Sequence, residues 1–194
     1  DVYKRQIWIT FCVKKENGSI NIFTAFCLIL FAVAMIFISS RYRLVDEMKI
    51  TCEDAMVSST LAGAIIDVEE YGKTGNIIVT DYKKSYQKFK KCLNDNLRLD
   101  DNDVSEYTSF FSGPIYVTDY IIYNVNEETG EVQIMQGTGE VLVNTYENSL
   151  ENTFAPDGTK IVKSSIYSKI KFDVRYSQST SFKADKDCCV DITN

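Results

Sequence analysis

Residues 20–40, INIFTAFCLILFAVAMIFISS, decide how the chain is read, because they contain no charged residue, no Pro and no Gly. A hydrocarbon core about 30 Å thick takes roughly 20 apolar residues at 1.5 Å each, and this window fits that length. A buried helix of a water-soluble domain would carry a polar stripe, and none is present. The window is also too long for the apolar core of a secretory signal, and no small-x-small junction ends it. The reading is a single transmembrane helix over 20–40.

The rest of the chain differs in character. Mean hydropathy over 194 residues is −0.14, so the apolar residues are concentrated rather than spread over several spans. Beyond Ser40 there are 17 Lys+Arg against 25 Asp+Glu, a net charge of −8. An acidic balance disfavours a nucleic-acid backbone or an anionic membrane surface as partner. Residues 41–194 are expected to form one extracytoplasmic α+β domain, large enough to bury its own core. Residues 1–19 are expected to be a non-native or leader-like segment. The first Met is Met35, and DVYKRQ at 1–6 resembles translated transposon-end sequence.

Helical character is expected to continue past the apolar window, from Arg41 to about Tyr71. Leu44, Met48, Thr51, Ala55, Ala62 and Ile65 or Ile66 recur at spacings of three or four, with Gly72 as the C-cap. Window and extension together would span roughly 78 Å at 1.5 Å per residue if unbroken. GNIIVT at 75–80 reads as a short strand. Asp81 then caps a second helix to about Leu97, with Tyr82, Tyr86, Phe89 and Leu93 on one face and most of its lysines elsewhere. The remainder reads as an antiparallel sheet: a hairpin over 115–136, a strand at EVLVNTY, a turn at APDGT (155–159), alternation through SIYSKIKFDVRY, and a last strand at CCVDIT.

Chemistry-bearing patterns are few. The chain has no His, which excludes Ser-His-Asp and Cys-His constellations and His-ligated metals. No glycine-rich phosphate loop is present, and neither a catalytic residue, a metal site nor a cofactor is expected. Asp100, Asp101, Asn102, Asp103 and Glu106 offer oxygen ligands, but at spacings unlike an EF-hand loop; a solvated turn is the simpler reading. The aromatics between Tyr116 and Tyr123 read first as core residues and cross-strand pairs, second as a binding surface. Four cysteines lie beyond the window, at Cys52, Cys92, Cys188 and Cys189, which allows three pairings. An exported domain makes a bond such as Cys52–Cys92 expected, whereas the adjacent pair Cys188 and Cys189 bonds to itself only with strain. Lys14 and Lys15 precede the window and Arg41, Arg43 and Lys49 follow it, so this local count does not set orientation.

The segment KKENGSINIFTAFCLILFAVAMIFISSRYRLVDEMKITCEDA resembles the N-terminus of TadE/TadG-like proteins, the pilin-like components of the Tad (Flp, type IVc) pilus machinery. The shared pattern is a basic stretch, a Gly followed by small or polar residues, one apolar run and an Arg-bearing amphipathic helix. GTKIVKSSIYSKIKFDV and the final VDIT resemble closing strands of the same family. The resemblance covers 14–70 and 156–194. It implies a pilin-like fold, a cytoplasmic N-terminus, a domain outside the cell membrane, and partners that are the bilayer and other pilus or secretion subunits. It also implies a leader junction between Gly18 and Ser19. The Glu that many relatives carry five residues into the mature chain is Phe23 here. Ile22, Phe26, Leu30, Ala34 and Phe37 share one side of the apolar helix and are expected to pack against other helices in the membrane. The alternative reading is a membrane-tethered binding or sensor domain.

Overall fold

The computed structural model describes residues 20–175 and 179–193 in full, and the helical backbone alone of 2–19. It is an α+β chain with elements in the order α1 (Val2–Gly63), α2 (Val68–Thr74), α3 (Tyr82–Leu97), then β1 (Tyr116–Asn126), β2 (Glu131–Thr138), β3 (Val141–Ser149), β4 (Ser165–Arg175) and β5 (Ser181–Asp191). Two compact units divide it, Asp1–Asp46 and Glu47–Asn194. In the first, every described residue but one is exposed, including all of 20–40.

The second unit is built on one antiparallel sheet in the order β3-β2-β1-β4-β5. Both faces of the three inner strands, β2, β1 and β4, carry buried residues. One carries Ile122, Met135, Ile166 and Ile170, and it is covered by the last turns of α1 and by α3. The other carries Ile121, Tyr123, Val125, Val132, Ile134 and Tyr167, covered by the β3–β4 connection through Leu150, Ala155 and Ile161. Alternation of period two along β1 and β4 supplies both faces at once.

The buried stripe of α1 is Met48, Cys52, Ala55, Met56, Ser59, Thr60 and Gly63. Of the expected stripe, Met48 and Ala55 are in it, whereas Ala62 is exposed. Small polar residues displaced apolar ones because they allow close approach. Thr60 Oγ1 and Ser168 Oγ on β4 lie 2.6 Å apart, and Thr60 also donates to the Met56 carbonyl at 2.7 Å in the pattern typical of buried helix threonines. Ser168 is the polar residue in the alternation of β4, and this contact is what satisfies it. A Cβ on Gly63 would collide with the Tyr120 hydroxyl and meet Phe89 Cβ at 3.2 Å. Ser85 Oγ donates to the Gly63 carbonyl at 2.6 Å and lies 2.7 Å from Tyr120 Oη, so one serine ties α1, α3 and β1 together.

The helix therefore ends at Gly63, not at Gly72. Ile65 and Ile66 are β-branched and poor continuers, and Asp67 starts a new helix. Its carboxylate accepts from the Glu69 and Glu70 amides, both at 3.1 Å, and from Thr80 Oγ1 at 2.9 Å. Those bonds hold the Asp67 carboxyl below its ordinary range. The cap of this second helix is Gly75 at φ 74, where left-handed backbone favours glycine.

The stretch 75–80 is not a strand. The Ile78 carbonyl accepts from the Asp67 amide at 2.9 Å, and the Val79 backbone is satisfied by a side chain. Asn124 Oδ1 accepts from the Val79 amide at 2.8 Å, and Asn124 Nδ2 donates to the Val79 carbonyl at 2.9 Å and to Gln133 Oε1 at 3.2 Å. Asn124 thus mimics a strand partner while sitting within β1.

The expected second helix is α3, capped by Asp81, whose carboxylate accepts from the Lys84 amide at 2.9 Å. Tyr82, Tyr86, Phe89 and Leu93 are buried as the pattern predicts. Three of these rings surround Tyr120, with centroids 5.8, 5.4 and 4.8 Å from it for Tyr82, Tyr86 and Phe89. Burying a side chain such as Phe89 contributes about 1.5–3 kcal/mol. The sheet matches the expected hairpin and the strand at EVLVNTY. The last strand begins earlier than expected, at Ser181, because its first half is charged and reads as loop.

Candidate functional site

Gly18 and Ser19, the expected leader junction, lie outside the fully described residues. Ile22, Phe26, Leu30, Ala34 and Phe37 are exposed, and so are their neighbours around the helix. Among the described residues, exposure is uniform around this window and picks out no face of it. What the structure does provide is one helix with a mean hydropathy of 2.7 over its most apolar stretch and none of that stretch buried. It is long and apolar enough to cross a membrane.

Cys27, Cys52, Cys92, Cys188 and Cys189 are free thiols, and the expected Cys52–Cys92 bond is not formed. Cys52 faces the sheet from α1, whereas Cys92 lies against Asn96, whose amide donates to both Cys92 Sγ at 3.3 Å and Ser58 Oγ at 2.9 Å. Cys188 and Cys189 are on opposite faces of β5: Cys188 opposes Ser168 on the helix-covered side and Cys189 opposes Tyr167 on the other. Burial pushes the Cys52 thiol up to about 11 and the Cys189 thiol up to about 12, so both stay protonated at neutral pH.

The acidic run 100–103 is a structural turn. Asp100 Oδ1 accepts from the Asn102 and Val104 amides at 2.9 Å each, which lowers its pKa, and Asp103 pairs with Lys90 at 2.7 Å. Among the described residues no group of three or more His, Cys, Asp or Glu is arranged to hold a metal ion. Of the tyrosines considered as a binding surface, Tyr120 and Tyr123 are core residues, their hydroxyls pushed up by burial, and Tyr116 is exposed.

One surface cavity went unnoticed in the sequence. It holds about 220 Å³ between α2 and strands β1, β2 and β3 and is lined by Glu70, Asn76, Asn126, Glu131, Gln133 and Glu147 among others. Its lining is mostly amide and carboxylate, completed by Thr74 and Ile78, with no Lys or Arg. Residues so far apart in sequence give no local signal, and only the pairing of β2 with β3 brings Gln133 opposite Glu147.

The fold defines a class: an α+β chain with one helix, among the described residues, long and apolar enough to cross a membrane. No family model, no curated protein and no solved structure matches the chain.

Proposed function

We propose that this chain is a membrane-anchored, pilin-like component, a minor pseudopilin or an assembly factor, of a Tad/Flp-type pilus or secretion system. The N-terminus is cytoplasmic, the helix over 20–40 crosses the cell membrane once, and the domain 41–194 stands outside. The observation that carries the reading is the wholly exposed apolar helix joined to a well-packed α+β domain. Its role is mechanical rather than catalytic. The apolar helix packs with other helices in the bilayer, and the sheet domain docks on neighbouring subunits. Phe23 leaves no carboxylate at the position that pairs with a neighbour's N-terminal amine in filament-forming relatives, which favours a component retained in the membrane. Photo-crosslinking from Ile22 and Leu30 in native membranes tests this. Adducts with other single-span pilus or secretion subunits are expected; adducts with lipid alone would remove the assembly role.

The amide- and carboxylate-lined cavity favours a second reading, a tethered binding or sensor domain. A small molecule retained by the native chain in mass spectrometry, and lost in Gln133→Ala, would establish it.

A further inference from the structure

The two edges of the sheet are built differently. The β5 edge is charged and engaged: Lys169 pairs with Asp185 at 2.6 Å, Lys186 with Glu53 at 3.2 Å, and Tyr167 donates to Asp187 at 3.2 Å. Charged side chains on an edge strand are a common guard against added strands. The β3 edge carries one charge, Glu147, and no ion pair among the described residues ties it down. All nine of its residues, VLVNTYENS, are exposed, it contains no Lys and no Pro, and Val141 and Val143 are 66% and 59% exposed. Beyond its pairing with β2 and the Ser149 amide's bond to the Asn148 side chain, no hydrogen bond of the β3 backbone amides exists among the described residues. Apart from the Ser149 carbonyl, which accepts from Thr153 Oγ1 at 2.8 Å, such a row of edge N–H and C=O groups is a template for pairing with another extended backbone.

Charge says which backbone. Between Arg98 and Lys160 the chain contains no Lys or Arg and has 12 Asp+Glu. Lys83 reaches in from α3 to pair with Glu140 at 3.4 Å. Glu131, Glu147 and Glu151, at the far end of β2 and β3, make no ion pair among the described residues. Two copies meeting edge to edge would therefore bring two uncompensated acidic surfaces together.

We propose that the open edge of β3 is a docking site for one extended, basic segment of a partner protein, which adds to the sheet as a further strand. Backbone bonds along 141–149 hold the segment, apolar side chains meet Val141, Val143 and Tyr146, and Lys or Arg side chains meet Glu131, Glu147 and Glu151. The proposal deepens the assembly reading by naming the chemistry of the partner. Failure of the edge with membrane anchoring and crosslinks intact would remove the edge alone.

The test uses the full chain in neutral detergent micelles. The probes are the capped peptide Thr-Lys-Val-Lys-Thr-Lys-Val, its counterpart with Glu for every Lys, and a version with Pro for the central Lys. Amide hydrogen exchange over 141–149 is the readout. The Lys peptide is expected to slow exchange there about tenfold or more, with the effect weakening as salt is raised. The Glu and Pro versions are expected to do nothing. In the chain carrying Glu147→Lys and Glu151→Lys, both exposed, the preference should pass to the Glu peptide. Three results would overturn the proposal: no protection by the Lys peptide, equal protection by both charged peptides, or protection that rises with protein concentration in the absence of peptide. The last would make the occupant a second copy of this chain.

Discussion

Asn124→Ala isolates the most unusual device in the fold. The wild-type side chain makes both hydrogen bonds of the Val79 backbone, at 2.8 and 2.9 Å, and Val79 is fully buried. Truncation leaves one buried donor and one buried acceptor unpaired, each costing about 1–3 kcal/mol. The expected loss is about 2–6 kcal/mol, a large share of the ~5–15 kcal/mol that stabilises a typical domain. Two measurements on the full chain in detergent check it: urea unfolding followed by near-ultraviolet circular dichroism, and exchange of the Val79 amide. Asn124→Asp sharpens the case. Its carboxylate still accepts from the Val79 amide but repels the Val79 carbonyl, so it should lose a similar amount at neutral pH. Protonation restores the missing donor, so relative to wild type at the same pH this variant should recover on acidification, and Asn124→Ala should not. A loss below about 0.5 kcal/mol in Asn124→Ala, with Val79 exchange unchanged, would refute the reasoning.

Gly63→Ala should destabilise by about 1–2 kcal/mol despite alanine's better helix propensity, because overpacking against Tyr120 costs more than the propensity gains; a thermal melt that rises would contradict this. Thr60→Val leaves the Ser168 hydroxyl buried without its partner and should cost about 1–2 kcal/mol, most of it recovered in the double variant Thr60→Val/Ser168→Ala. Burial raises the Cys52 thiol to about 11 and the Tyr82 hydroxyl to about 12, and raises Tyr86 and Cys188 as well. The folded state therefore holds these protons more tightly than the unfolded chain. The associated stability is full below the unfolded values of 9.0 and 10.0 and is lost as pH climbs through the folded ones. Melting temperature should thus fall between pH 9 and 12, less steeply in Cys52→Ala.

Much of this architecture is written in local pattern. The window 20–40 is legible because nothing but a membrane or a fully buried helix tolerates it, and α3 is legible because Asp81 caps a stripe of Tyr82, Tyr86, Phe89 and Leu93. The strands with alternating aromatics and β-branched residues read correctly for the same reason. What local pattern hides is long-range compensation. GNIIVT has strand composition, yet Asn124, 45 residues away from Val79, supplies its partner from a side chain. The buried stripe of α1 is disguised by Ser59 and Thr60, which read as solvent-facing until Ser168 is placed beside Thr60. The first half of β5 looks like loop because its charges guard an edge. The cavity beside α2 and the open acidic edge of β3 exist only once β2 and β3 are paired, so neither had a signature in the sequence.

The central claim is that residues 20–40 remain in the protein and hold it in a membrane. Peptide-mapping mass spectrometry of the native chain, on membranes washed with alkaline carbonate and on the released fraction, tests it most directly. The account predicts that the chain stays with the washed membranes and that peptides covering 20–40 are recovered from it. Recovery of the domain in the released fraction, beginning beyond Ser40, would make the apolar helix a removed signal and contradict the account.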